Sequence, residues 1–552
     1  MTIRVFLLIF AFACECALSL ALPVSQQEAL HSAQQFLMSR TQNSRGGIKD
    51  IKMFLETQTP AFYIFNTDKD CGWVIVSADD QMPTILAYSD ESRFYANDMP
   101  ESLSLILSNY EQLASIPAFC WNREKEPTQD FRHAILPLLT TKWGQRSPYN
   151  FYMPTYLPDS SSIPIHYLTG CTTTAVAQLM YYHKWPQTIN HEISYRNETL
   201  PPTTIDWDIM KDFYEENDSS NSAKEVAKLM KYISWGQENS FFQSGTGGFP
   251  PNMLYCLAAH MNYSNKLADT YWHQETKRRN DVMDNRIYHE LTKNRPVLMT
   301  VGLEDVGMHE IVVDGFQPSS LYHMNFGWNG KNDGYYYLND DIVYYHDESP
   351  STLYPIFITF GVQPPTEGEA LSVIFWNARC NKTFSRSNEE ESFWGCCIEN
   401  VDMINTSCDS QMYDIGIRIF RDEEVVDSVW ASSVFLSKTI SDVTITFPWK
   451  KELKEGTYTL RFMSRLSGTE KWIPDVEEHY IVAILQENTL YMLSPKYYEE
   501  YMASISSHTV METPRGSLCY DLIGRPVQSR KGLAFVAIVK NAQRKVFPFG
   551  RK

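Results

Sequence analysis

Residues 170–186 read GCTTTAVAQLMYYHKWP, and this stretch predicts a helix that begins at a cysteine. Small and hydroxylated residues precede an apolar face at helical spacing, and Pro186 cannot donate the backbone hydrogen bond that a longer helix would need. Cys171 would lie in the first turn, where backbone N–H groups and the positive end of the helix dipole stabilise a thiolate. A buried structural cysteine is the simpler alternative, because free cysteines are among the most buried residues.

The composition indicates a large globular protein with several domains. Of the 552 residues 43% are hydrophobic, and 48 basic residues against 66 acidic ones give a net charge of −18. Such a charge argues against nucleic-acid binding and favours a soluble, exported protein. Its eleven cysteines include two, Cys14 and Cys16, in a predicted leader, so nine remain and at least one lies outside internal disulfides.

Four of these cysteines lie close together in the sequence, at Cys380, Cys396, Cys397 and Cys408. A disulfide within this group is one expectation. Metal binding is the less favoured alternative, because no histidine accompanies the group in the sequence.

The first residues have the pattern of a signal peptide. Arg4 supplies a positive charge, residues 5–13 form an apolar core, and Ser19 and Ala21 are the small residues before a cut at Leu22. A lipoprotein cut before Cys14 or Cys16 is the alternative, but the residues before each cysteine fit it poorly. No other run is apolar enough to span a bilayer, so we expect no transmembrane segment in the mature protein.

Changes in pattern divide the rest of the chain into four regions. Residues 22–138 combine two helical stretches, 26–38 and 102–113, with two strands at 61–66 and 72–77, and end in a charged loop suited to proteolytic processing. Residues 139–364 pass from helices to strands. Residues 365–483 contain recurring short strands that predict an immunoglobulin-like β-sandwich, and short strands continue through 484–552.

The residue types needed by a cysteine hydrolase occur in a recognisable order. Gln145 lies on a predicted loop before Cys171, His309 on a strand spanning 308–316, and Asn325 on the following strand. A thiolate, an imidazole, a group that orients the imidazole and an oxyanion donor are what such catalysis requires. Taken singly, Gln145 is typical of a surface amide and His309 of a structural histidine, so the order carries the argument. Residues 244–248 are either a flexible cleft loop or a plain connector.

The local sequences resemble the streptopain family of secreted bacterial cysteine peptidases. The resemblance rests on TKWGQ (141–145) with PYN (148–150), on the Gly170-Cys171 helix ending in HKWP (183–186), on His309 through Gly315, and on NFGWNG (325–330). Residues 22–138 resemble the inhibitory propeptide of that family, notably VSADD (76–80). The C-terminal region resembles the sorting domain read by the type IX secretion system, with YDLIGRPV (520–527) and Lys531-Gly532.

The resemblance implies an α+β, papain-like fold without cofactor or metal. Cys171 would be the nucleophile, His309 the base and acid, and Gln145 would join the Cys171 N–H in the oxyanion hole. Asn325 and Trp328 would pack near the histidine and orient it. The residues implied for the substrate cleft are Ser244, Gly245, Thr246 and Met308.

The same resemblance implies a domain order and a biological setting. The expected domain order is a signal peptide (1–21), an inhibitory propeptide (22–138), a papain-like peptidase domain (139–364), an immunoglobulin-like β-sandwich (365–483) and a sorting domain (484–552). The expected function is that of a secreted endopeptidase zymogen, which hydrolyses proteins or peptides through a thioester acyl-enzyme. Its expected partners are those substrates, its own propeptide and the type IX machinery, at the cell surface or outside a bacterium with an outer membrane.

Four positions depart from the family pattern. Met308 stands where a glycine is usual and adds a side chain beside the cleft, so substrate preference is expected to differ. Glu310 replaces a small or apolar residue, and would either raise the pKa of His309 or face water. Phe326 stands where tryptophan is usual, and Asn329 where glycine is usual.

Two other functions remain open from the sequence. The first is a non-catalytic surface protein, whose sandwich binds ligands beside a degenerate peptidase module. The second is acyl transfer to an amine rather than to water. An inert Cys171 thiol would favour the first, and amide products formed with added amines would favour the second.

Overall fold

The computed structural model describes residues 23–41, 52–68, 72–80, 82–115, 132–158, 162–271, 277–303, 307–338, 354–385, 393–449, 453–476, 479–495, 497–498, 501–502, 519–520, 526–527, 535–540 and 543–548. The predicted leader, most of the predicted processing loop, and Lys531-Gly532 lie outside these residues. None of the helices in the described ranges is long and apolar enough to cross a membrane.

The N-terminal unit, residues 23–115, places two helices on opposite faces of a four-stranded antiparallel sheet. Its elements are α1 (Gln26–Thr41), β1 (Met53–Gln58), β2 (Phe62–Thr67), β3 (Trp73–Ser77), β4 (Ile85–Ser89) and α2 (Glu101–Ser115). Helix α1 begins where the Ser25 N–H donates to the Glu28 carboxylate and the Glu28 N–H returns to the Ser25 hydroxyl, which satisfies two N–H groups at its start. The predicted helices and hairpin of this region are confirmed.

Strands β2, β3 and β4 of the N-terminal sheet are buried on both faces, which explains why they are mostly apolar, whereas β1 is largely exposed. Phe65 and Val74 pack with Ala33 of α1 on one face, while Ile64 and Ile75 belong to a second core on the other. Successive side chains of a strand point to opposite faces, so each strand must supply apolar residues to two cores.

The central domain, residues 132–360, has a helical part and a sheet part. Its helices are α3 (Cys171–His183), α4 (Asn221–Gly236), α5 (Pro250–Tyr255), which continues as a π-helix (Cys256–His260), α6 (Lys277–Thr292), and a 3₁₀ turn (Trp207–Ile209). Its strands are β5 (Thr155–Tyr156), β6 (Ile165–His166), β7 (Thr188–Ile189), β8 (Ile193–Tyr195), β9 (Glu198–Leu200), β10 (Thr203–Thr204), β11 (Ser240–Phe242), β12 (Gly245–Gly247), β13 (Ala268–Tyr271), β14 (Val297–Leu303), β15 (Gly307–Gln317), β16 (Leu321–Asn325), β17 (Gly334–Tyr337) and β18 (Tyr354–Phe360). Helix α3 packs against β15.

A single antiparallel sheet of ten strands runs through the N-terminal unit and the central domain. Its order is β1-β2-β3-β4-β17-β16-β15-β14-β18-β13. The join is the pairing of β4 with β17, where Tyr88 lies opposite Tyr335 and Ala87 opposite Tyr336. The sequence predicts a separate unit for residues 22–138, but here β4 covers an edge of the central sheet that would otherwise be unpaired.

The predicted border at 138/139 also differs from the structure. Ile135 forms a β-bridge with Phe316, and the N–H of Leu138 donates to the Asp314 carbonyl at 3.0 Å. Arg132 pairs with Asp284 at 2.6 Å. Residues 132–138 therefore already belong to the central domain, because their backbone hydrogen bonds are made there.

The sandwich, residues 373–492, packs two sheets around a shared apolar core. One sheet has the order β19 (Val373–Arg379), β21 (Phe393–Asn405) and β24 (Thr439–Trp449). The second contains β20 (Asn381–Ser385), β22 (Gln411–Arg421), β23 (Glu424–Leu436), β25 (Gly456–Leu466), β26 (Ile473–Pro474), β27 (Tyr480–Gln486) and β28 (Thr489–Leu493). Phe375 and Ile445 of the first sheet meet Ile417 and Leu460 of the second. The prediction of a β-sandwich is confirmed, and its immunoglobulin-like character stays a prediction.

The predicted border at 483/484 is wrong, because it cuts through a paired strand. Strand β27 pairs with β25 from Tyr480 to Leu485, and the two compact units of the chain divide between Met492 and Leu493. The C-terminal unit contains a four-stranded sheet of β29 (Cys519–Tyr520), β30 (Pro526–Val527), β31 (Phe535–Lys540) and β32 (Gln543–Pro548). Its predicted sorting role stays a prediction.

Candidate active site

Helix α3 begins at Cys171 as predicted, and a glycine makes that start possible. Gly170 has a φ of +93°, and a Cβ there would lie 3.0 Å from the Thr246 carbonyl oxygen, so a side chain is excluded twice over. The hydroxyl groups of the two threonines that follow Cys171 are hydrogen-bonded. That of Thr172 donates to the Gln237 side chain at 3.1 Å, and that of Thr173 accepts from the Asn239 side chain at 2.8 Å. The first turn of α3 is therefore held rigidly.

The sulfur of Cys171 lies against β15 where the neighbouring strand has ended. Strand β16 pairs with β15 only as far as Val312 opposite Asn325, so the inner edge of β15 before Val312 has no partner from β16. At this edge the backbone N–H of Glu310 donates to the Cys171 sulfur. The nucleophile candidate thus lies beside the residue that follows His309.

Burial raises the pKa of the Cys171 thiol above its usual value, although the backbone N–H groups of Glu310, Thr172 and Cys171 itself act in the opposite direction. The sequence predicts a thiolate stabilised by the helix start. Those N–H donors are present, but in this arrangement of the chain the loss of water outweighs them, and the thiol is protonated at neutral pH.

The imidazole of His309 is held by a backbone carbonyl. Its Nε2 lies 2.9 Å from the Phe326 oxygen, and the side chain is 9% exposed. Because a carbonyl oxygen only accepts, Nε2 carries the proton and Nδ1 is the nitrogen that can take one from a thiol. The Phe326 N–H in turn donates to Asp333 at 3.0 Å, which fixes the carbonyl from its other side.

Asn325 shapes the turn that carries this carbonyl. Its Oδ1 accepts from the Gly327 N–H and from Gln178, each at 3.0 Å, and its Nδ2 donates to the Thr141 carbonyl at 2.9 Å. The structure therefore places Asn325 behind the turn, where it positions the Phe326 carbonyl. Gly327, with a φ of +64°, completes the turn.

Trp328 faces the N-terminal unit. Its indole nitrogen lies 3.5 Å from the Asp98 carboxylate, a long contact at the edge of hydrogen bonding. The predicted orienting roles of Asn325 and Trp328 stay predictions, and the Phe326 carbonyl oxygen is hydrogen-bonded to the His309 ring.

Gln145 is buried close to the cysteine. Its side chain is 6% exposed, and its backbone carbonyl accepts from the Thr169 N–H at 3.1 Å, two residues before Cys171. The role of the Gln145 side-chain amide in the oxyanion hole stays a prediction. That role requires Gln145 to lie near Cys171, as it does here.

The predicted cleft loop is a paired hairpin rather than a flexible segment. Strands β11 and β12 pair from Ser240 opposite Gly247 to Phe242 opposite Gly245, so Ser244 lies in the turn between them. The Thr246 hydroxyl donates to the Leu168 carbonyl at 2.7 Å and is turned away from solvent. Ser244 and Gly245 remain accessible, and Met308 is 49% exposed at the start of β15.

Glu310 neither faces water nor acts as a free charge. It is 3% exposed, and the Thr300 hydroxyl on the paired strand donates to its carboxylate. Neighbouring residues on a strand point to opposite faces, so this carboxylate and the His309 ring leave β15 in different directions.

Two further residues, which sequence reasoning missed, support the site. Gln178 bridges Asn325 and the loop before the helix, and its position seven residues after Cys171 puts both on one helical face, a periodicity that could have identified it. Asp333 holds the Phe326 N–H, and burial raises its pKa to about 7. No local pattern marks an aspartate as buried, so Asp333 could not have been found.

The N-terminal unit contacts the turn that follows Phe326. The Tyr95 N–H donates to Asn332 at 2.8 Å, Lys331 pairs with Asp98, and Lys142 pairs with Glu91 at 2.8 Å. These contacts lie next to the carbonyl that holds His309. A thiol at a helix start beside a histidine strand, with backbone N–H donors around the sulfur, is the arrangement of a papain-like cysteine peptidase.

Comparisons with known proteins agree with this class. Residues 143–336 match the Peptidase C10 family, and residues 21–114 match the Spi protease inhibitor. The chain therefore contains a peptidase domain of the C10, streptopain-like family, preceded by an inhibitor domain. The expectation of such a peptidase with an inhibitory propeptide is confirmed.

The relatives differ in how much of their own length is matched. The thiol protease/hemagglutinin PrtT of Porphyromonas gingivalis is 28% identical over 345 residues, which is 57% of this chain but only 39% of that protein. Streptopain of Streptococcus pyogenes is 25% identical over 344 residues, 57% of this chain and 85% of the relative. A solved fragment of Prevotella intermedia prointerpain A is 26% identical over 57% of this chain and 99% of the fragment, with a TM-score of 0.48.

Proposed function

We propose that the protein is a cysteine endopeptidase made as a zymogen. The observation that carries the proposal is the Cys171 sulfur at the first residue of α3, hydrogen-bonded by the backbone N–H that follows His309. Protein and peptide chains are the proposed substrates.

The proposed reaction has two stages. His309 Nδ1 takes the Cys171 proton, and the sulfur attacks the scissile carbonyl carbon while the Cys171 N–H and the Gln145 amide stabilise the oxyanion. The protonated imidazole then gives its proton to the leaving amine, and a thioester remains on the enzyme. Water, deprotonated by the same imidazole, hydrolyses the thioester and restores the thiol.

The N-terminal unit is the proposed intramolecular inhibitor. It bonds to Asn332 and Lys331, in the turn that continues from the carbonyl holding His309. Burial raises the pKa of Cys171 in this state and lowers the thiolate fraction. Removal of the unit would release the turn and restore mobility to the histidine.

The proposed setting is outside the cell. The leader pattern at residues 1–21 and the resemblance of residues 484–552 to a sorting domain support export to the surface or exterior of a bacterium with an outer membrane. The type IX secretion machinery is the proposed partner for that step.

The test compares Cys171→Ala with wild type and with Cys397→Ala, a half-buried thiol in the sandwich. We expect Cys171→Ala to lose at least about 10⁴-fold in casein hydrolysis, because nucleophile and base act as one unit. Mass spectrometry should also show no cleavage of this variant near residues 120–140, whereas Cys397→Ala should resemble wild type. Unchanged hydrolysis by Cys171→Ala would refute the proposal.

A further inference from the structure

Three metal-ligating side chains from distant parts of the sequence converge outside the candidate active site. They are His191, which follows β7, His260, the last residue of the π-helix, and Cys408, in the turn between β21 and β22. One ligand atom from each lies within 4.8 Å of the other two. The histidines belong to the central domain and the cysteine to the sandwich.

The two imidazoles face each other through their ring nitrogens. His191 Nε2 and His260 Nδ1 are 2.8 Å apart, and the rings are nearly parallel, with centroids separated by 5.0 Å. Two nitrogens bound to one zinc ion at about 2.0–2.1 Å with tetrahedral angles would be separated by about 3.3 Å. Separating the two nitrogens by about half an ångström and tilting both rings until their lone pairs converge would turn this contact into a pair of ligands.

The surroundings hold the ligands in place. A Cβ at Gly236 would approach the His260 ring to 3.2 Å, so α4 packs directly against the ring. The Cys408 sulfur lies 3.2 Å from the Ala259 carbonyl, which keeps it next to the histidine. These ligands require only small movements to close around an ion.

The charges near the cluster are compatible with a cation. A neutral imidazole nitrogen offers the lone pair that a metal ion requires. Lys438 is the nearby cation that acts on His260, but its ammonium is paired with Glu238 at 2.8 Å. The negative charge of Asp409, which follows Cys408, also acts on His191.

We propose that His191, His260 and Cys408 bind a zinc ion that links the central domain to the sandwich. Two imidazole nitrogens and one thiolate form a donor set suited to Zn²⁺, with the fourth position open to water. Binding converts the Cys408 thiol to a thiolate and releases its proton to solvent. This inference revises the expectation of a protein without metal, and it does not depend on peptidase activity.

The experiment uses the full chain in a Cys171→Ala background, which removes self-cleavage and any competing metal binding by the catalytic thiol. After chelation and desalting, Zn²⁺ is titrated against a chromogenic chelator, and Co²⁺ is added in parallel for absorption spectroscopy. We expect one Zn²⁺ per chain, and a sulfur-to-cobalt charge-transfer band with the strong visible absorption of a tetrahedral site.

The variants assign the ligands. Cys408→Ser and His260→Asn should each weaken zinc binding by at least about 100-fold. Loss of a residue that merely hydrogen-bonds to a metal ligand costs up to about 100-fold, and loss of a ligand itself should cost at least as much. Cys397→Ser, the matched thiol of the sandwich, should bind as the parent does. Cys408→His should retain zinc binding but lose the charge-transfer band, which separates loss of a ligand from misfolding.

Three results would overturn the proposal. They are no binding by the parent at micromolar zinc, unchanged affinity in Cys408→Ser and His260→Asn, and a cobalt spectrum without the sulfur band. Any of them would reduce the cluster to a hydrogen bond between two histidines beside a thiol.

Discussion

The N-terminal unit and the sandwich both flank the central domain, but they attach to it through different chemistry. The N-terminal unit joins by backbone pairing of β4 with β17 and by an apolar core that it shares with the central sheet, where α2 packs on β14 and β15. Exposed ion pairs such as Lys142 with Glu91 supplement this join. The sandwich and the irregular segment leading to it attach through side chains, among them Glu369 on Ser264 at 2.9 Å and Lys438 on Glu238 at 2.8 Å.

The difference shows how one neighbour can be removable and the other permanent. The join consists of one short strand edge, a shared apolar core and exposed charges that contribute little, and only these contacts retain the N-terminal unit once the connecting chain is cut. The paired edge also lies beside the turn that holds His309. The hydrogen bonds given above for His309 and Asn325 are made inside the central domain, so we expect loosening of the two attachments to have different consequences.

The largest effect is expected from Gly334→Ala, which targets the join. A Cβ at this position would lie 2.6 Å from the backbone carbonyl oxygen of Tyr88 and 2.8 Å from the ring of Trp73. Both groups belong to the N-terminal unit, and neither can move away easily. Overpacking of this kind costs about 3 kcal/mol, which corresponds to about 100-fold weaker inhibition. Peptide hydrolysis by the unprocessed precursor, with its intact mass checked at each time point, should rise by that factor.

Gly416→Ala provides the matched control inside the sandwich, where a Cβ would lie 2.7 Å from the end of Met463 and 3.1 Å from the Val429 oxygen. It should lower the melting temperature without raising precursor activity. Equal activation by both variants would show that latency depends on general stability rather than on the join.

The second effect concerns pH and the half-buried carboxyl of Asp333 next to the turn. Desolvation raises the pKa of Asp333 to about 7, so between about pH 4 and 7 the folded chain holds a proton that the unfolded chain releases. Stability therefore falls as pH rises through this window, by about 4 kcal/mol for a fully buried carboxyl and by on the order of 2 kcal/mol for this half-buried one. Asp333→Asn should flatten that part of the curve of unfolding free energy against pH, measured by urea denaturation.

Asp475 of the sandwich provides the control for this test. Burial raises the pKa of its carboxyl as well, although His479, whose Nδ1 lies 3.0 Å from that carboxylate, acts to lower it. Asp475→Asn should leave the pH dependence of precursor latency unchanged, whereas Asp333→Asn should alter it. The reverse outcome would place the pH response of latency in the sandwich.

The smallest effect is expected from the exposed ion pairs. Lys142→Ala removes the ion pair with Glu91, and exposed pairs of this kind contribute about 0.2–1 kcal/mol. Precursor activity should therefore rise about twofold. Because salt screens exposed charges, the wild-type precursor should show the same rise at high salt. Lys382→Ala breaks a similarly exposed pair with Glu399, at 2.9 Å in the sandwich, and should change nothing. A larger response to Lys382→Ala would contradict the proposed division of roles.

Local patterns predicted much of the fold. The start of α3 at Cys171, its end before Pro186 and strand β15 follow from capping residues and apolar periodicity, which act within a few neighbouring residues. The hairpin at residues 240–247 was not predicted, because its glycines and polar residues are equally typical of a loop. The border at 483/484 failed because strand β27 is held by β25, whose contribution no local pattern reveals.

The candidate site divides in the same way. Cys171 and His309 were identified by residue type and order, whereas the Phe326 carbonyl that holds the imidazole belongs to the backbone and has no sequence signature. The orienting role of Asn325 stays a prediction, and only the structure shows that its amide is engaged by Gln178, Gly327 and Thr141, which fixes the turn carrying the Phe326 carbonyl.

The sequence by itself determined the helix with its cysteine, the strand with its histidine and the order of inhibitory propeptide, peptidase domain and sandwich, because spacing and capping are local properties of the chain. Only the tertiary structure decided that β4 completes the central sheet, that burial keeps the Cys171 thiol protonated, and that His191 and His260 meet Cys408. Sheet pairing, desolvation and ligand clusters depend on residues far apart in the sequence, which only the folded chain brings into contact.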